Sequence, residues 1–322
     1  MKKILLAAVA SLALFAVPAF AQAKVKIGIS IPSADHGWTG GVVYYSQMAI
    51  KDIAAKDKNV EFTLSLADSP QKQVSDVEDL VVKGVNAIVV LAYDSATVTP
   101  AIKKAKEKGI YIVSVDRGLT EEVQDVYLAG DNPGLGRVSA EYMGKAMGGK
   151  GKMVILEGIP CVINSERVDT FKAIIKTKFP GIEILESQPA DWSTQKGLEV
   201  MQTFLQKYKQ IDAVWAQDDD ILKGVLQAYK ESGRKDIKLM VGGAGSKEMI
   251  KTVMDGSNPM IPVDVTYHPS MVYPAINLAV LGVRGQNLGG FIQQKIPSKI
   301  IIASELITKE NAKKYYDAAS KF

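Results

Sequence analysis

Tyr111-Ile112-Val113-Ser114-Val115-Asp116-Arg117-Gly118 is the stretch on which the fold turns. A β-branched apolar run stops at an acid and a base side by side, followed by glycine. Strands buried on both faces read as near-continuous apolar runs, so this pattern predicts a buried parallel strand that delivers two charged groups to a sheet edge. Ligands of open α/β sheets sit outside the carboxyl ends of such strands. Taken singly, the pair reads first as an ordinary solvated strand end, because exposed Asp and Arg are common. The rest of the chain has to decide.

Working outward, short β-branched runs alternate with amphipathic stretches. Strands are expected at 25–31, 61–66, 87–91, 110–115 and 126–129, with helices near 39–55, 71–83 and 97–108. That rhythm predicts right-handed crossovers and a parallel sheet covered on both faces. It then restarts. A helix at 134–147 leads to strands at 153–156, 182–186, 213–216, 239–241 and 260–265, separated by helices near 167–178, 194–208, 222–232 and 247–254. A helix at 269–283, a Gly-rich loop at 285–290, a strand at 299–303 and a helix at 309–319 complete the chain. The expected fold is α/β, with two doubly wound parallel-sheet domains. The connection at Gly130-Asp131-Asn132-Pro133 is short enough to be a hinge rather than a tether.

Composition agrees. The 322 residues, 47% hydrophobic and 23% charged, suffice for two cores of roughly 100 to 150 residues each. Lys2 and Lys3 precede an apolar run from Ile4 to Val17 and then Pro18-Ala19-Phe20-Ala21, which predicts a signal peptide (1–21) cleaved after Ala21. That run is shorter than the roughly 20 residues needed to cross a bilayer, so export to the periplasm is expected, without membrane insertion. Removing two lysines leaves 37 basic against 35 acidic residues, a net charge of +2. Near-balance argues against a nucleic-acid partner, which needs a basic face. The single cysteine, Cys161, has no internal partner, and its apolar surroundings Ile159-Pro160-Cys161-Val162-Ile163 predict a buried thiol.

His36 and His268 lie far apart and near no cysteine pair, so neither a metal site nor a histidine-driven nucleophile is expected. Asp218-Asp219-Asp220 lacks the spacing of a calcium loop. Capping of a helix N-terminus accounts for Asp219 or Asp220; Asp218, directly after a strand, falls at the same kind of edge as Asp116. The Gly clusters near 134–136, 148–152 and 242–245 match no phosphate-binding loop and read as turns. Trp38, in Asp35-His36-Gly37-Trp38-Thr39, and Trp192, after Pro189-Ala190-Asp191, both sit on strand-to-helix turns. Arg167 is expected to open a helix, where the dipole disfavours a cation, and a local rule broken at a sheet edge marks a candidate site. Each edge thus offers a Trp, an Arg and an Asp. Aromatic planes pack on the C–H faces of sugars, while Arg and carboxylates bond paired hydroxyls.

The chain resembles the periplasmic sugar-binding receptors of bacterial ABC transporters, and among these the ribose-binding type. The resemblance runs over nearly the whole mature chain. It is carried by Leu80-Val81-Val82-Lys83-Gly84-Val85-Asn86-Ala87-Ile88, Val113-Ser114-Val115-Asp116-Arg117, Gly130-Asp131-Asn132, Glu166-Arg167 with Phe171, Ser187-Gln188-Pro189-Ala190-Asp191-Trp192, Lys196-Gly197-Leu198-Glu199-Val200-Met201-Gln202 and Trp215-Ala216-Gln217-Asp218-Asp219. It implies two domains joined by three crossover strands, residues 22–130 with 264–298 and residues 131–263 with 299–322. It also implies one solute in the cleft and closure around it. Carried over by position, it puts Trp38 and Trp192 at stacking positions and Asp116, Arg117 and Arg167 at polar contacts. Asp218 stands where ribose binders have Asn, and Tyr267 where they have Gln. Asp35 and His36, in a first loop about two residues longer, complete the candidate set. Ala244 replaces an Asp that contacts the sugar, which points away from ribose and toward another pentose, a hexose or a polyol.

The expected function is a non-enzymatic receptor that uses no cofactor and delivers a sugar or polyol to an ABC permease. The alternative is a receptor for a sugar-like signal or autoinducer feeding a chemoreceptor or sensor kinase. A repressor of the lactose type shares the fold, but an export signal stands where its helix-turn-helix would be. A sugar isomerase lacks a metal constellation and a positioned general base.

Overall fold

The computed structural model describes residues 24–34, 37–289 and 295–322. The expected signal peptide and the candidates Asp35 and His36 fall outside those residues. In the first domain the order is β1 (Val25–Pro32), α1 (Gly37–Lys56), β2 (Val60–Ala67), α2 (Pro70–Val82), β3 (Ala87–Val90), α3 (Ser95–Glu107), β4 (Tyr111–Val115) and β5 (Val126–Gly130). The second domain contains α4 (Asn132–Ala146), β6 (Lys150–Glu157), α5 (Val162–Lys178), β7 (Gly181–Pro189), α6 (Thr194–Lys207), β8 (Ala213–Trp215), α7 (Asp219–Ser232), β9 (Leu239–Val241) and α8 (Lys247–Asp255). The chain then runs through β10 (Asp264–Val265), a 3-10 turn (Pro269–Met271), α9 (Val272–Val283), β11 (Lys299–Ile302) and β12 (Leu306–Ile307).

Both sheets are parallel, with orders β11-β5-β4-β3-β1-β2 and β7-β6-β8-β9. Their strands alternate side chains between two packed faces. Along β3 and its extension, Ala87, Val89 and Leu91 join one core while Ile88, Val90 and Ala92 join another; in β6, Met153 and Ile155 face away from Val154 and Leu156. Two-sided burial is why these strands read as unbroken apolar runs. The chain passes between the domains after β5, after β10 and between β11 and β12, and β10 pairs antiparallel with β12.

Four expectations are corrected. β11, assigned from sequence to the second domain, pairs in register with β5 in the first sheet, Ile300 opposite Leu128. The strand expected at 260–265 shrinks to two residues, since Pro262 has no N–H to give a ladder. The final helix is only a 3-10 turn at Ala312–Lys314; the residues beyond it bond to α1 and α8 instead. Cys161 is exposed. Its apolar run forms the turn from β6 into α5, where Ile159 and Val162 are exposed as well.

Candidate functional site

The carboxyl ends of both sheets face one another across a cleft holding about 350 Å³ of space outside atoms, its mouth included. Seven of the nine candidate residues line it: Trp38, Asp116 and Arg117 from the first domain, Arg167, Trp192 and Asp218 from the second, and Tyr267 from the crossing after β10. Ile163 and Ala244 complete the wall. Six of the seven are only 4–7% exposed, so the cleft is closed. Gly37 N donates to Asp220 Oδ2 across its rim at 3.0 Å, a carboxylate of α7 meeting the N-terminus of α1.

Backbone strain gathers here. Among the described residues, those other than glycine with left-handed φ are Asp116, Asp191, Trp192, Gln217 and Ala244, at 53–92°. All five lie on or beside the carboxyl edges that form the cleft. Such conformations persist where surrounding contacts over-determine them, and they cluster at ligand sites.

Each charged group is held by neutral partners. Asp116 Oδ1 accepts the Tyr267 hydroxyl at 2.5 Å, and Asp116 makes no ion pair among the described residues. Arg117 Nη1 donates to the carbonyls of Tyr93 and Ala92 at 3.0 and 3.4 Å. Arg167 Nε donates to Asn132 Oδ1 at 2.9 Å. Its guanidinium carbon lies 4.2 Å from the Tyr267 ring centroid and 5.8 Å from that of Trp192, cation–π geometry in both cases. Asp218 Oδ1 accepts from Asp220 N and Ile221 N at 2.8 and 3.2 Å. Burial pushes the Tyr267 phenol well above its ordinary pKa, with the Asp116 charge adding to the effect. The phenol therefore stays a donor.

Tyr267 connects the two halves. Its carbonyl accepts the Trp38 indole N–H at 2.8 Å. Its ring lies over Gly130, where a Cβ would meet the ring at 2.2 Å, so only glycine admits this approach.

Two readings of individual residues change. Asp218, not Asp219 or Asp220, is the N-cap of α7, while Asp219 accepts from Gly243 N and Ser246 N beneath the loop that carries Ala244. Arg167 sits in the second turn of α5, which begins at Val162, so the helix end does not single it out. Sequence reasoning missed Gln217 and Asn164, which are buried and bonded to one another behind Trp192. The only pointer was the place of Gln217 between a strand end and Asp218. Among the described residues no cluster of three or more His, Cys, Asp or Glu could hold a metal, and no helix is long and apolar enough to cross a membrane.

Two parallel-sheet domains joined by three crossings, with a polar cleft between their carboxyl edges, define the architecture of a two-domain solute receptor. The profile of the periplasmic binding protein domain matches residues 27–319, and the chain belongs to that family. The ribose import binding protein of Escherichia coli is 33% identical over 215 residues, covering 65% of this chain and 71% of that protein. The Haemophilus influenzae ribose import binding protein is 28% identical over 95% of this chain and all of its own. Among solved structures, an ABC transporter periplasmic solute-binding protein from Actinobacillus succinogenes with bound D-allose aligns with a TM-score of 0.78. It is 26% identical and covers 91% of this chain and 100% of its own. A fructose-binding periplasmic domain of a hybrid two-component system aligns at 0.77 with 26% identity, covering 90% of this chain and 92% of that domain.

Proposed function

We propose that the protein is a periplasmic receptor that captures one monosaccharide or polyol in the cleft and delivers it to the permease of an ABC transporter. One observation carries this reading: two carboxylates and two guanidiniums converge between aromatic walls, each steadied by neutral partners. Such groups suit a neutral ligand whose hydroxyls both donate and accept, and a charge-assisted bond contributes roughly 1.5–3 kcal/mol. Trp38 and Trp192 supply flat faces for the ring or chain carbons. The family consists of binding proteins, which agrees with a receptor that performs no chemistry. Ala244 offers no polar side-chain atom to the cleft, so a ligand hydroxyl facing that wall finds no side-chain partner there.

A thermal-shift panel of pentoses, hexoses and polyols tests the reading. A ligand that binds only the folded state at a hundred times its Kd adds about 2.7 kcal/mol of stability, and at least one member should raise Tm by several degrees. If none does, the carbohydrate reading falls. Mass spectrometry of solute retained by the purified protein would then name the ligand class.

A signalling role is the second reading, and the likeness to the fructose-binding domain of a two-component system supports it. Stimulation of a permease ATPase by the loaded protein favours transport. Stimulation of a sensor kinase or chemoreceptor instead favours signalling.

A further inference from the structure

Behind Trp192, away from the cleft, runs a chain of hydrogen bonds in which every donor points the same way. The indole Nε1 donates to Gln217 Oε1 at 3.1 Å, Gln217 Nε2 donates to Asn164 Oδ1 at 2.9 Å, and Asn164 Nδ2 donates to Glu157 Oε2 at 3.0 Å. The other Glu157 oxygen accepts from Ser187 Oγ and from Lys172 Nζ. Both amide orientations are forced. An indole nitrogen only donates, so Gln217 must turn its oxygen toward Trp192. Gly158 N–H also donates to Asn164 Oδ1 at 2.9 Å, so Asn164 must turn its nitrogen toward Glu157.

The links are buried, Gln217 at 0% and Asn164 at 5% exposure, where successive hydrogen bonds polarise one another and an unmade bond is costly. Burial opposes ionisation of Glu157, but the bonds from Ser187 and Asn164 and the Lys172 ammonium outweigh it and hold the carboxyl below its usual range. The chain therefore ends on a carboxylate. The backbone is committed to the same end. Asp191, Trp192 and Gln217 all adopt left-handed φ, and a Cβ on Gly158 would lie 2.1 Å from the indole. The ring thus rests against Gly158, its N–H on Gln217, with Arg167 and the cleft beyond.

We propose that Gln217 and Asn164 are positioning residues that tie the Trp192 indole to the Glu157 carboxylate and hold its face in the plane a sugar ring or polyol chain packs against. This rests on the sugar-receptor reading of the cleft. A flat contact depends on the tilt of the plane, so this relay sets affinity and discrimination between epimers without touching the ligand.

The test uses the full chain and two readouts. The protein has three tryptophans, so its ¹H–¹⁵N indole spectrum is simple, and Trp192→Phe assigns the relevant signal. Binding of the best sugar or polyol from the thermal-shift panel is measured by calorimetry. Gln217→Leu should move the Trp192 indole signal upfield in ligand-free protein and weaken binding at least tenfold. Glu157→Gln should shift the same signal partway, with the fold intact. A Trp192 signal unmoved by Gln217→Leu overturns the proposal, whether or not affinity falls, because a loss without reorientation marks a merely structural role. If no sugar or polyol binds the unmodified protein, the functional reading fails, while the ligand-free spectra still decide whether the relay holds the indole.

Discussion

The Tyr267 hydroxyl donates to Asp116 Oδ1 at 2.5 Å, joining the crossing after β10 to the end of β4 across 151 residues of chain. The bond fixes one oxygen of a carboxylate that lines the cleft. Tyr267→Phe keeps the ring over Gly130 and beneath Arg167 but leaves Asp116 buried with one partner fewer. A hydrogen bond to a charged group contributes about 1.5–3 kcal/mol, so calorimetry should show affinity falling roughly 10- to 100-fold at about 1.4 kcal/mol per decade. Affinity within twofold of the unmodified protein would mean that the bond does not orient Asp116 for binding.

Arg167 is held through its shape as much as its charge. Its Nε bonds Asn132 while the guanidinium plane lies over Tyr267, and a lysine ammonium has neither the fork nor the plane. Arg167→Lys is expected to weaken binding nearly as much as Arg167→Ala, by more than tenfold in each case. Recovery of affinity by lysine would reduce the role of Arg167 to its charge.

The parts of this site that could be read from the chain are those written in one dimension. Asp116 and Arg117 follow an apolar strand directly, so a parallel sheet places them at its carboxyl edge whatever the tertiary details. Arg167 was singled out for a helix start that is not there; what brings it to the cleft is Asn132 and the face of Tyr267, contacts across 35 and 100 positions of sequence. Gln217 and Asn164 leave no pattern, because a buried polar relay exists only once three strand ends converge. Left-handed φ at ordinary residues is equally silent, as nothing in Gln or Trp announces it. β11 went to the wrong domain because an isolated β-branched strand carries no mark of which sheet edge it will join.

His268 packs between Tyr45 and Phe322, with ring centroids 5.2 and 5.8 Å away, and burial lowers its pKa to about 4, with Asp317 opposing only in part. In the unfolded chain the imidazole titrates near its ordinary 6.5. Below that pH the unfolded state takes up a proton that the folded state refuses. This group's contribution to stability is complete above about pH 7 and is lost as pH falls to about 4, amounting to about 3 kcal/mol. Asp264 works in the opposite sense. Burial raises its pKa, and it shares its dry site with the buried Asp219, whose pKa is raised as well, so the pair favours the folded state increasingly as pH falls below neutral. The Tm difference between the unmodified protein and His268→Gln should therefore shrink from pH 7 to pH 4, while the difference from Asp264→Asn should grow. Parallel curves for either pair would refute the corresponding assignment.

Residues 319–322 are bonded to both domains at once. Tyr44 Oη donates to the Ala319 carbonyl at 3.1 Å and Tyr45 Oη to Ser320 Oγ at 3.0 Å, both from α1. On the other side Lys247 N, the first residue of α8, donates to the Phe322 carbonyl at 3.0 Å, and Lys247 Nζ reaches the Ser320 carbonyl. The backbone N–H groups of a first helical turn have no partner within the helix, so this carbonyl fills a place that would otherwise fall to water. α1 carries Trp38 in its first turn and α8 follows the loop bearing Ala244, so the segment spans two walls of the cleft and opposes their separation. Removing residues 319–322 should lower Tm by several degrees, enlarge the radius of gyration of the ligand-free protein in solution scattering and weaken sugar binding severalfold. Phe322→Ala alone should lower Tm with little change in affinity, because Lys247 still meets a backbone carbonyl. Unchanged scattering and affinity after the four-residue deletion would show that the segment adds stability without biasing closure.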